Sequence, residues 1–158
     1  MAVRVQREDF DLGAELAALR AGRADIGALV SFTGLVRSDV GEVGGMELEH
    51  YPGMTEKALA AIEAEARARW PLQASLVIHR YGPLAPGDQI MMVATASAHR
   101  QAAFAAAEFL MDYLKSRAPF WKKEATADGG RWVDARSADE DALGRWAGAG
   151  GAQPPPRP

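Results

Sequence analysis

The feature that most constrains this fold is a pair of apolar runs joined by a short loop rich in proline and glycine. Residues 74–81 read ASLVIHRY and residues 89–97 read QIMMVATAS, and each run has the length and apolar content of a buried strand. The loop between them, GPLAPGD, has the composition of a hairpin connection. We therefore expect two antiparallel strands here.

The remaining patterns add further strands and three helices. We expect strands at 2–6, in the apolar run that follows Asp25 and ends at Arg37, and at about 46–51, 120–126 and 131–135. We expect helices at about 12–21 with Asp11 as N-cap, from an N-cap at Thr55 to about Trp70, and from His99 to Arg117 with Phe104, Ala107, Met111 and Leu114 on one face. Strands that mostly follow one another as hairpins, with helices between them, predict an α+β fold with a largely antiparallel sheet.

The chain has 158 residues, a length that fits one domain. We expect this domain to span residues 1–146. Residues 147–158 are rich in glycine and proline and offer nothing to bury, so we expect a disordered tail there.

Charge and cysteine content exclude several classes of function. Eighteen Lys and Arg residues against 21 Asp and Glu residues give a net charge of −3, which argues against a general nucleic-acid or anionic-membrane binder. The chain has no cysteine, so any sulfur that the protein handles must arrive on another molecule. His50, His79 and His99 lack the spacing of a metal site. With neither a signal-peptide pattern nor an apolar run long enough for a membrane span, the cytoplasm is the expected compartment.

The few lysines of the chain are clustered. Of the 18 basic residues 14 are arginine, and three of the four lysines, Lys115, Lys122 and Lys123, fall within nine residues. An arginine-rich chain that keeps lysine here is expected to need an amine whose pKa burial can lower, which a guanidinium cannot supply. Chance clustering is the alternative explanation.

The predicted elements suggest how these lysines are arranged. Lys115 follows Met111 by four residues, on the same side of the long helix, where its amine could reach a partly desolvated pocket. The alternative is a cation that complements the C-terminal end of the helix. Lys122 and Lys123 are neighbours on a strand, so their side chains face opposite sides and only one can join Lys115.

Two His–Arg dipeptides are further candidates. His99 and Arg100 stand at the start of the long helix, where free backbone N–H groups and the helix dipole favour an anion such as phosphate. A capping or core role for His99 is the alternative. His79 and Arg80 lie inside an apolar strand, where a structural role is favoured. These observations alone indicate an α+β domain with a Lys/Arg/His cluster suited to an anionic ligand.

Several stretches together resemble the catalytic (large) subunit of molybdopterin synthase. They read GALVSFTGLVRSDVGEVGGMELEHYPGM at 27–54, IHRYGPLAPGD at 78–88, SAHRQAAF at 97–104 and LKSRAPFWKKEATADGGRWVDAR at 114–136. The resemblance covers about residues 3–146 in unbroken order.

This resemblance implies an α/β hammerhead fold and a sulfurtransferase activity. A small ubiquitin-like partner carries sulfur as a thiocarboxylate on its C-terminal Gly-Gly tail. Two sulfurs pass from such tails to cyclic pyranopterin monophosphate, giving the dithiolene of molybdopterin for molybdenum cofactor biosynthesis. No metal or redox cofactor is implied for this step. The family also implies a homodimer that binds one small partner at each end, which makes a heterotetramer.

The resemblance also implies roles for individual residues. Lys115 and Lys122 correspond to the two catalytic lysines of the family. The implied substrate-binding residues are Leu35, Val36, Arg37, His99, Arg100, Lys123, Glu124 and Arg136, and Phe32 and Met111 shape the pocket together with Leu35 and Val36. In the family, the position of Arg136 reaches into the active site of the neighbouring subunit.

Two other classes of function remain open on the sequence. One is a non-catalytic module that uses the same cations to bind a nucleotide or another anion, and it predicts that arginine can replace both Lys115 and Lys122. The other is a scaffold that only docks a ubiquitin-like protein, and it predicts that Arg37 and His99 are dispensable for docking.

Overall fold

A computed structural model describes residues 2–38, 44–124, 131–133 and 141–146 of the chain. The α+β class predicted from the sequence is confirmed. In chain order the elements are β1 (Ala2–Gln6), α1 (Leu12–Arg20), β2 (Ala28–Leu35), β3 (Met46–His50), α2 (Met54–Arg69), β4 (Leu72–Arg80), β5 (Gly82–Leu84), β6 (Gln89–Ser97), α3 (Arg100–Ser116), β7 (Phe120–Glu124), β8 (Arg131–Val133) and a 3₁₀ turn (Gly144–Trp146). Among these described residues, no helix combines the length and the apolar character needed to cross a membrane.

The strands form two four-stranded sheets rather than the one sheet expected. In the first sheet the order is β1-β4-β6-β2, with β1 and β4 parallel and the other neighbours antiparallel. In the second sheet the order is β5-β3-β7-β8, and all neighbours are antiparallel. The sheets are therefore largely antiparallel, as predicted.

The chain passes between the two sheets inside the expected hairpin loop. β4 and β6 pair in antiparallel fashion as predicted, but the loop between them contains β5, which pairs with β3. Gly82, at the start of β5, has a φ of 88°, a conformation that glycine adopts without strain. A Cβ at this position would lie 3.0 Å from the guanidinium of Arg7. Gly82 thus allows the turn that starts the second sheet.

Helices cover both faces of the first sheet. On one face α1 packs its leucines against a buried cluster of Phe10, Leu76, Ile78, Met92 and Ala94. On the other face α2 and α3 form the main core, which contains Leu59, Val77, Met91, Val93, Phe109 and Leu110. A third, smaller cluster of Val36, Leu48 and Leu84 joins the end of β2 to the second sheet. This junction and the adjacent end of α3 position the candidate site.

Two details of the predicted helices are wrong. Gly53, not Thr55, is the N-cap of α2, and the carboxylate of Glu56 accepts a hydrogen bond of 2.6 Å from the Gly53 N–H. Thr55 is fully buried and bonds to a distant part of the chain instead. Phe104 does not share the core face of α3, because the buried face is centred on Ala103, Ala106 and Leu110 and leaves the Phe104 side chain 61% exposed.

The 3₁₀ turn near the C-terminus is attached to α3. The indole of Trp146 donates to Asp112 Oδ2 at 2.6 Å, and its ring packs edge-on against Trp70 and Phe109. Arg145 donates to Glu108 at 2.6 Å. The predicted tail, residues 147–158, lies outside the described residues, so the predicted limit of the domain stays a prediction.

Candidate functional site

The connection between α3 and β7 brings Lys115 and Lys122 into one region. Lys115 is in the last turn of α3, which ends at Ser116, and β7 begins at Phe120. The short connection is tight, since the N–H groups of both Arg117 and Ala118 bond to the carbonyl of Tyr113. The two lysines therefore lie on consecutive elements, with six residues between them.

The strand register decides which of the two adjacent lysines belongs to this region. Lys122 lies opposite Leu48 and Phe120 lies opposite His50, so these four side chains share the inner face of the second sheet. Lys123 lies opposite Glu47 on the other face, and its Nζ is 5.9 Å from the ring centre of Trp132.

Lys123 also lines a different depression. This open cavity of about 500 Å³ is bordered by Glu47, Asp88 and the backbone around Gly45. The expected alternation of Lys122 and Lys123 is thus observed, and the structure does not bring Lys123 to the lysine pair.

A buried histidine and a phenylalanine lie between the two lysines. The ring of His79, at the end of β4, stacks on the ring of Phe120 with centres 3.6 Å apart and planes inclined by 17°. His79 Nδ1 is 2.8 Å from the carbonyl oxygen of Arg80. Because a carbonyl only accepts, Nδ1 carries the proton. His50 extends the group, with its ring centre 6.5 Å from that of Phe120 and 4.1 Å from that of Tyr81.

The pKa of His79 reflects the residues around it, including Lys115. Burial lowers the pKa of His79 to about 4, the hydrogen bond to Arg80 opposes that shift, and the nearby positive charges of Lys115 and His50 add to it. His79 is therefore a neutral imidazole at neutral pH. The charge of Lys115 affects the pKa of His79, and Lys122 is two residues beyond Phe120 on the same strand face, so both lysines belong to the region of the His79–Phe120 pair.

The pocket that the sequence predicted around Lys115 is not formed by the described part of this single chain. Lys115 is exposed in the structure, whereas Lys122 is half-buried. The reason is that Lys115 lies on the outward face of the last turn of α3, while its neighbours Leu114 and Ser116 are buried. Met111, one turn earlier, is half-buried against the main core.

The end of β2 approaches the same region through Val36. Val36 is 4% exposed and packs with Leu48, the residue opposite Lys122. Backbone hydrogen bonds fix it, because its N–H donates to the carbonyl of Asp88 at 2.9 Å and its carbonyl accepts from Gly87 at 2.7 Å. Arg37 is the next residue and is exposed. The structure therefore places Arg37 directly after a residue that packs with Leu48.

Phe32 and Leu35 lie on β2, which is an edge strand of the first sheet. Their side chains are 44% and 56% exposed. In this single chain they form an open apolar edge and not the wall of a closed pocket.

The second His–Arg dipeptide lies at the opposite end of α3. His99 is the N-cap residue but makes no capping hydrogen bond within the described chain, and both His99 and Arg100 are exposed. They line an open depression of about 680 Å³ with Gly27 and Phe104. Fifteen residues separate Arg100 from Lys115, which at the rise of an α-helix is about 22 Å. Within one chain, His99 and Arg100 therefore lie far from the lysines, and their predicted role in substrate binding stays a prediction.

Three further points complete the placement of the predicted residues. The backbone of Glu124 pairs with Met46 in the second sheet, while its side chain lies outside the described structure. Arg136 also lies outside the described residues. Among the residues that are described, no group of three or more His, Asp or Glu side chains could hold a metal ion.

Sequence reasoning missed His50 and Thr55. The alternation of residues 46–51 placed His50 on the face of Met46 and Leu48, so the sequence did contain a pattern that could have identified His50. Thr55 bonds to the carbonyl of Pro119 across 64 residues, and no local pattern reports such a contact.

Comparisons with known proteins agree with this geometry. The profile of the MoaE protein family matches residues 5–117. The molybdopterin synthase catalytic subunit of Ralstonia nicotianae is 67% identical over 146 residues, which cover 91% of this chain and 83% of that protein.

Solved structures are similar as well. The molybdopterin biosynthesis MoaE protein from Burkholderia ambifaria is 60% identical, with a TM-score of 0.80 over 93% of this chain and 99% of that one. A complex of subunits 1 and 2 of molybdopterin-converting factor from Helicobacter pylori shares the fold, with a TM-score of 0.72, 19% identity and coverage of 85% of this chain and 92% of that one. Because the family profile spans most of the chain and the relatives match nearly all of it, this chain belongs to the MoaE family, that of the molybdopterin synthase catalytic subunits.

Proposed function

We propose that this chain catalyses the sulfur transfer of molybdopterin synthase. A small ubiquitin-like partner brings sulfur as a C-terminal thiocarboxylate, and two sulfurs pass to cyclic pyranopterin monophosphate. The observation that carries the proposal is that the end of α3 and the start of β7 bring Lys115 and Lys122 into the region of the stacked His79–Phe120 pair. There the charge of Lys115 affects the pKa of His79, and Lys122 shares a strand face with Phe120. The absence of cysteine fits a sulfur donor that arrives on a partner. The Helicobacter pylori complex, a relative in fold, was itself solved with a second type of subunit.

The two lysines suit different parts of this reaction. A thiocarboxylate is an anion, and an exposed ammonium such as that of Lys115 attracts it to the end of α3. Lys122 is half-buried on the inner face, so we assign it proton transfer at the reacting pterin carbon. In the first transfer sulfur attacks a pterin carbon, a carbon–sulfur bond forms, and the bond from that carbon to an oxygen of the cyclic phosphate breaks, which opens the ring and leaves a thioester between partner and pterin. In the second transfer sulfur attacks the neighbouring carbon, and an oxygen of that carbon leaves as water. Water then breaks the acyl–sulfur bond, releases the partner as a carboxylate and leaves the sulfur on the pterin.

Arg37 is assigned to the substrate phosphate. Arg37 follows Val36, which backbone hydrogen bonds hold in place and which packs with Leu48, the residue opposite Lys122. A guanidinium binds phosphate through two parallel hydrogen bonds, which fixes orientation as well as charge. In this arrangement Arg37 holds the phosphate while its ring opens and stabilises the negative charge that the leaving oxygen gains.

A second copy of the chain supplies His99 and Arg100 in this proposal. These residues are about 22 Å along α3 from Lys115, too far to hold the same small molecule. Phe104, Glu108, Met111 and Lys115 follow one stripe of α3, and Phe104 is 61% exposed. If two copies pack their α3 helices antiparallel along this stripe, each N-terminus meets the Lys115 end of the other helix. That packing also gives Lys115 the covered environment that one chain does not provide.

A single-turnover assay tests the function. The purified chain is mixed with the thiocarboxylated small partner and cyclic pyranopterin monophosphate, and mass spectrometry follows sulfur into the pterin. Lys122→Ala is expected to lower the rate by about 10²- to 10⁴-fold, because it removes the acid–base group. Lys123→Ala is the matched control, since Lys123 lies one residue away on the opposite face, and it should retain most of the wild-type rate.

Two outcomes would contradict the proposal. If the unmutated chain binds the partner but transfers no sulfur, the chain is a docking scaffold. If Lys115→Arg and Lys122→Arg both keep the full rate, a fixed charge is sufficient and the amines move no proton.

A further inference from the structure

The hydroxyl of Thr55 is a fully buried polar group that the reaction described above does not use. Thr55 lies in the first turn of α2 and is 0% exposed. Its Oγ1 donates to the carbonyl of Pro119 at 3.1 Å and accepts from the N–H of Tyr51 at 3.0 Å. One hydroxyl thus joins the end of β3, the start of α2 and the connection that follows α3.

Pro119 lies between the two lysines of the site. It is four residues after Lys115 and three residues before Lys122, and it is buried. The pyrrolidine ring fixes the φ of Pro119, and its carbonyl direction is held by Thr55. The next N–H, that of Phe120, bonds back to the carbonyl of Ala118 at 2.8 Å. The orientation of the Pro119–Phe120 peptide determines the direction in which β7 leaves this turn.

Neighbouring contacts hold the two residues after Pro119. The ring of His50 lies 6.5 Å from that of Phe120, and the ring of Tyr51 meets the edge of Trp121 at 4.3 Å. These ring contacts fix side chains through packing. β7 also pairs with β3 from Phe120, opposite His50, and Thr55 adds a hydrogen bond to the carbonyl of Pro119, the residue just before that pairing begins.

We propose that Thr55 is a positioning residue that sets the placement of Lys122 relative to Lys115 by holding the carbonyl of Pro119. This inference rests on the proposed sulfur transfer by the two lysines. Thr55 itself touches no substrate, because it is fully enclosed behind the turn. Without its hydroxyl the Pro119–Phe120 peptide can rotate, and the start of β7 moves with it. Reactions that depend on two positioned groups lose rate steeply with small displacements.

The test compares two buried threonines. Thr55→Val removes the hydroxyl and keeps the side-chain shape, and Thr55→Ser restores the hydroxyl. Thr95→Val is the matched control, because Thr95 is also 0% exposed and its Oγ1 bonds to a backbone carbonyl, that of Ala103 near the start of α3. Single-turnover rates and the KM for the pterin are measured together with melting temperatures.

We expect Thr55→Val to lower the single-turnover rate by about tenfold to a hundredfold while the KM for the pterin changes much less. Thr55→Ser should recover most of the rate. Thr95→Val should lose a similar amount of thermal stability but keep its rate. Should Thr55→Val not fold, Thr55→Ala is measured in its place with the same expected result, since it removes the hydroxyl without adding a methyl group.

A Thr55→Val rate equal to that of Thr95→Val would overturn the inference and leave Thr55 with a structural role only. This result is distinct from a failure of the proposed function. If the proposed function fails, the unmutated chain itself transfers no sulfur.

Discussion

One His–Arg dipeptide lies near each end of α3, and the two differ in how they are held: the histidine near the C-terminal end is buried, whereas the dipeptide at the N-terminal end is exposed. His79 and Arg80 lie beside the C-terminal end of the helix, where His79 is 7% exposed and stacked on Phe120. The guanidinium of Arg80 donates to the carbonyls of Arg7 and Gln89 at 3.0 and 2.9 Å. His99 and Arg100 stand exposed at the N-terminal end, beside an open depression.

This difference distinguishes a region whose groups are held by contacts within one chain from a region whose groups are exposed. At the C-terminal end, buried contacts hold the groups around the lysines in place within one chain. At the N-terminal end, the backbone N–H groups of the first turn and the side chains of His99 and Arg100 are exposed, an arrangement that favours an anion. In the proposed arrangement an isolated chain presents a preorganised half-site around Lys122 and an open half-site at His99 and Arg100, near ends of α3 that lie about 22 Å apart.

The largest effect should come from combining the two half-sites across a dimer. We expect His99→Ala and Lys122→Ala each to lower activity by about a hundredfold or more, because each removes one half of the same site. Two differently tagged chains, one with each substitution, are co-expressed and the mixed dimer is purified. If the halves meet between subunits, this dimer has one intact site of two and about half the wild-type activity.

The reverse combination is the control for this experiment. A wild-type chain is paired with a chain that carries both substitutions. In the proposed arrangement every site of that dimer lacks one half, so it should be inactive. An active reverse dimer together with an inactive first dimer would show that each site is built within one chain.

Much of the fold is predictable from local patterns. The strands expected at 74–81 and 89–97 are observed at Leu72–Arg80 and Gln89–Ser97, and the long helix begins and ends within one residue of the prediction. These elements have strong apolar periodicity and clear proline stops. The predicted N-cap at Thr55 failed because its hydroxyl serves a carbonyl 64 residues away, and tertiary contacts of that kind leave no local signal.

The candidate site was predictable in its members but not in its arrangement. The alternation of a strand was enough to separate Lys122 from Lys123. The two His–Arg dipeptides, in contrast, have the same letters, and only the burial of β4 distinguishes His79 from His99. The predicted length of α3 already implied a separation of more than 20 Å between its ends. This predicted separation was the sequence evidence that His99 and Lys115 of one chain do not line the same pocket.

A second prediction concerns how the buried dipeptide depends on pH. In the unfolded chain a histidine titrates near 6.5, and in the folded protein the pKa of His79 is about 4. Between these values the unfolded state binds the proton more strongly, so stability falls as the pH drops from about 6.5 to about 4 and is fully present above that range. The expected loss from this group is about 3 kcal/mol.

His79→Gln isolates this contribution because glutamine does not titrate. Urea denaturation of both proteins at pH 7 and pH 4.5 gives the free energies of unfolding. Other groups, mainly carboxylates, titrate equally in the two proteins, so the wild type should lose more stability on acidification than His79→Gln does. Equal losses would mean that His79 is accessible to protons in the folded state and that the buried half-site is not closed.

The smallest expected effect is the difference in the free energy of unfolding between variants of the two dipeptide arginines, Arg80 and Arg100. Arg80→Ala leaves the carbonyls of Arg7 and Gln89 without their guanidinium donors, and we expect it to lower the free energy of unfolding by about 2 kcal/mol. Arg100→Ala removes an exposed side chain and should change it by less than about 0.5 kcal/mol. Urea denaturation at pH 7 measures both values. If Arg100→Ala were as destabilising as Arg80→Ala, the N-terminal end of α3 would be as much a structural element as the C-terminal end, and the reason to look for its ligand would disappear.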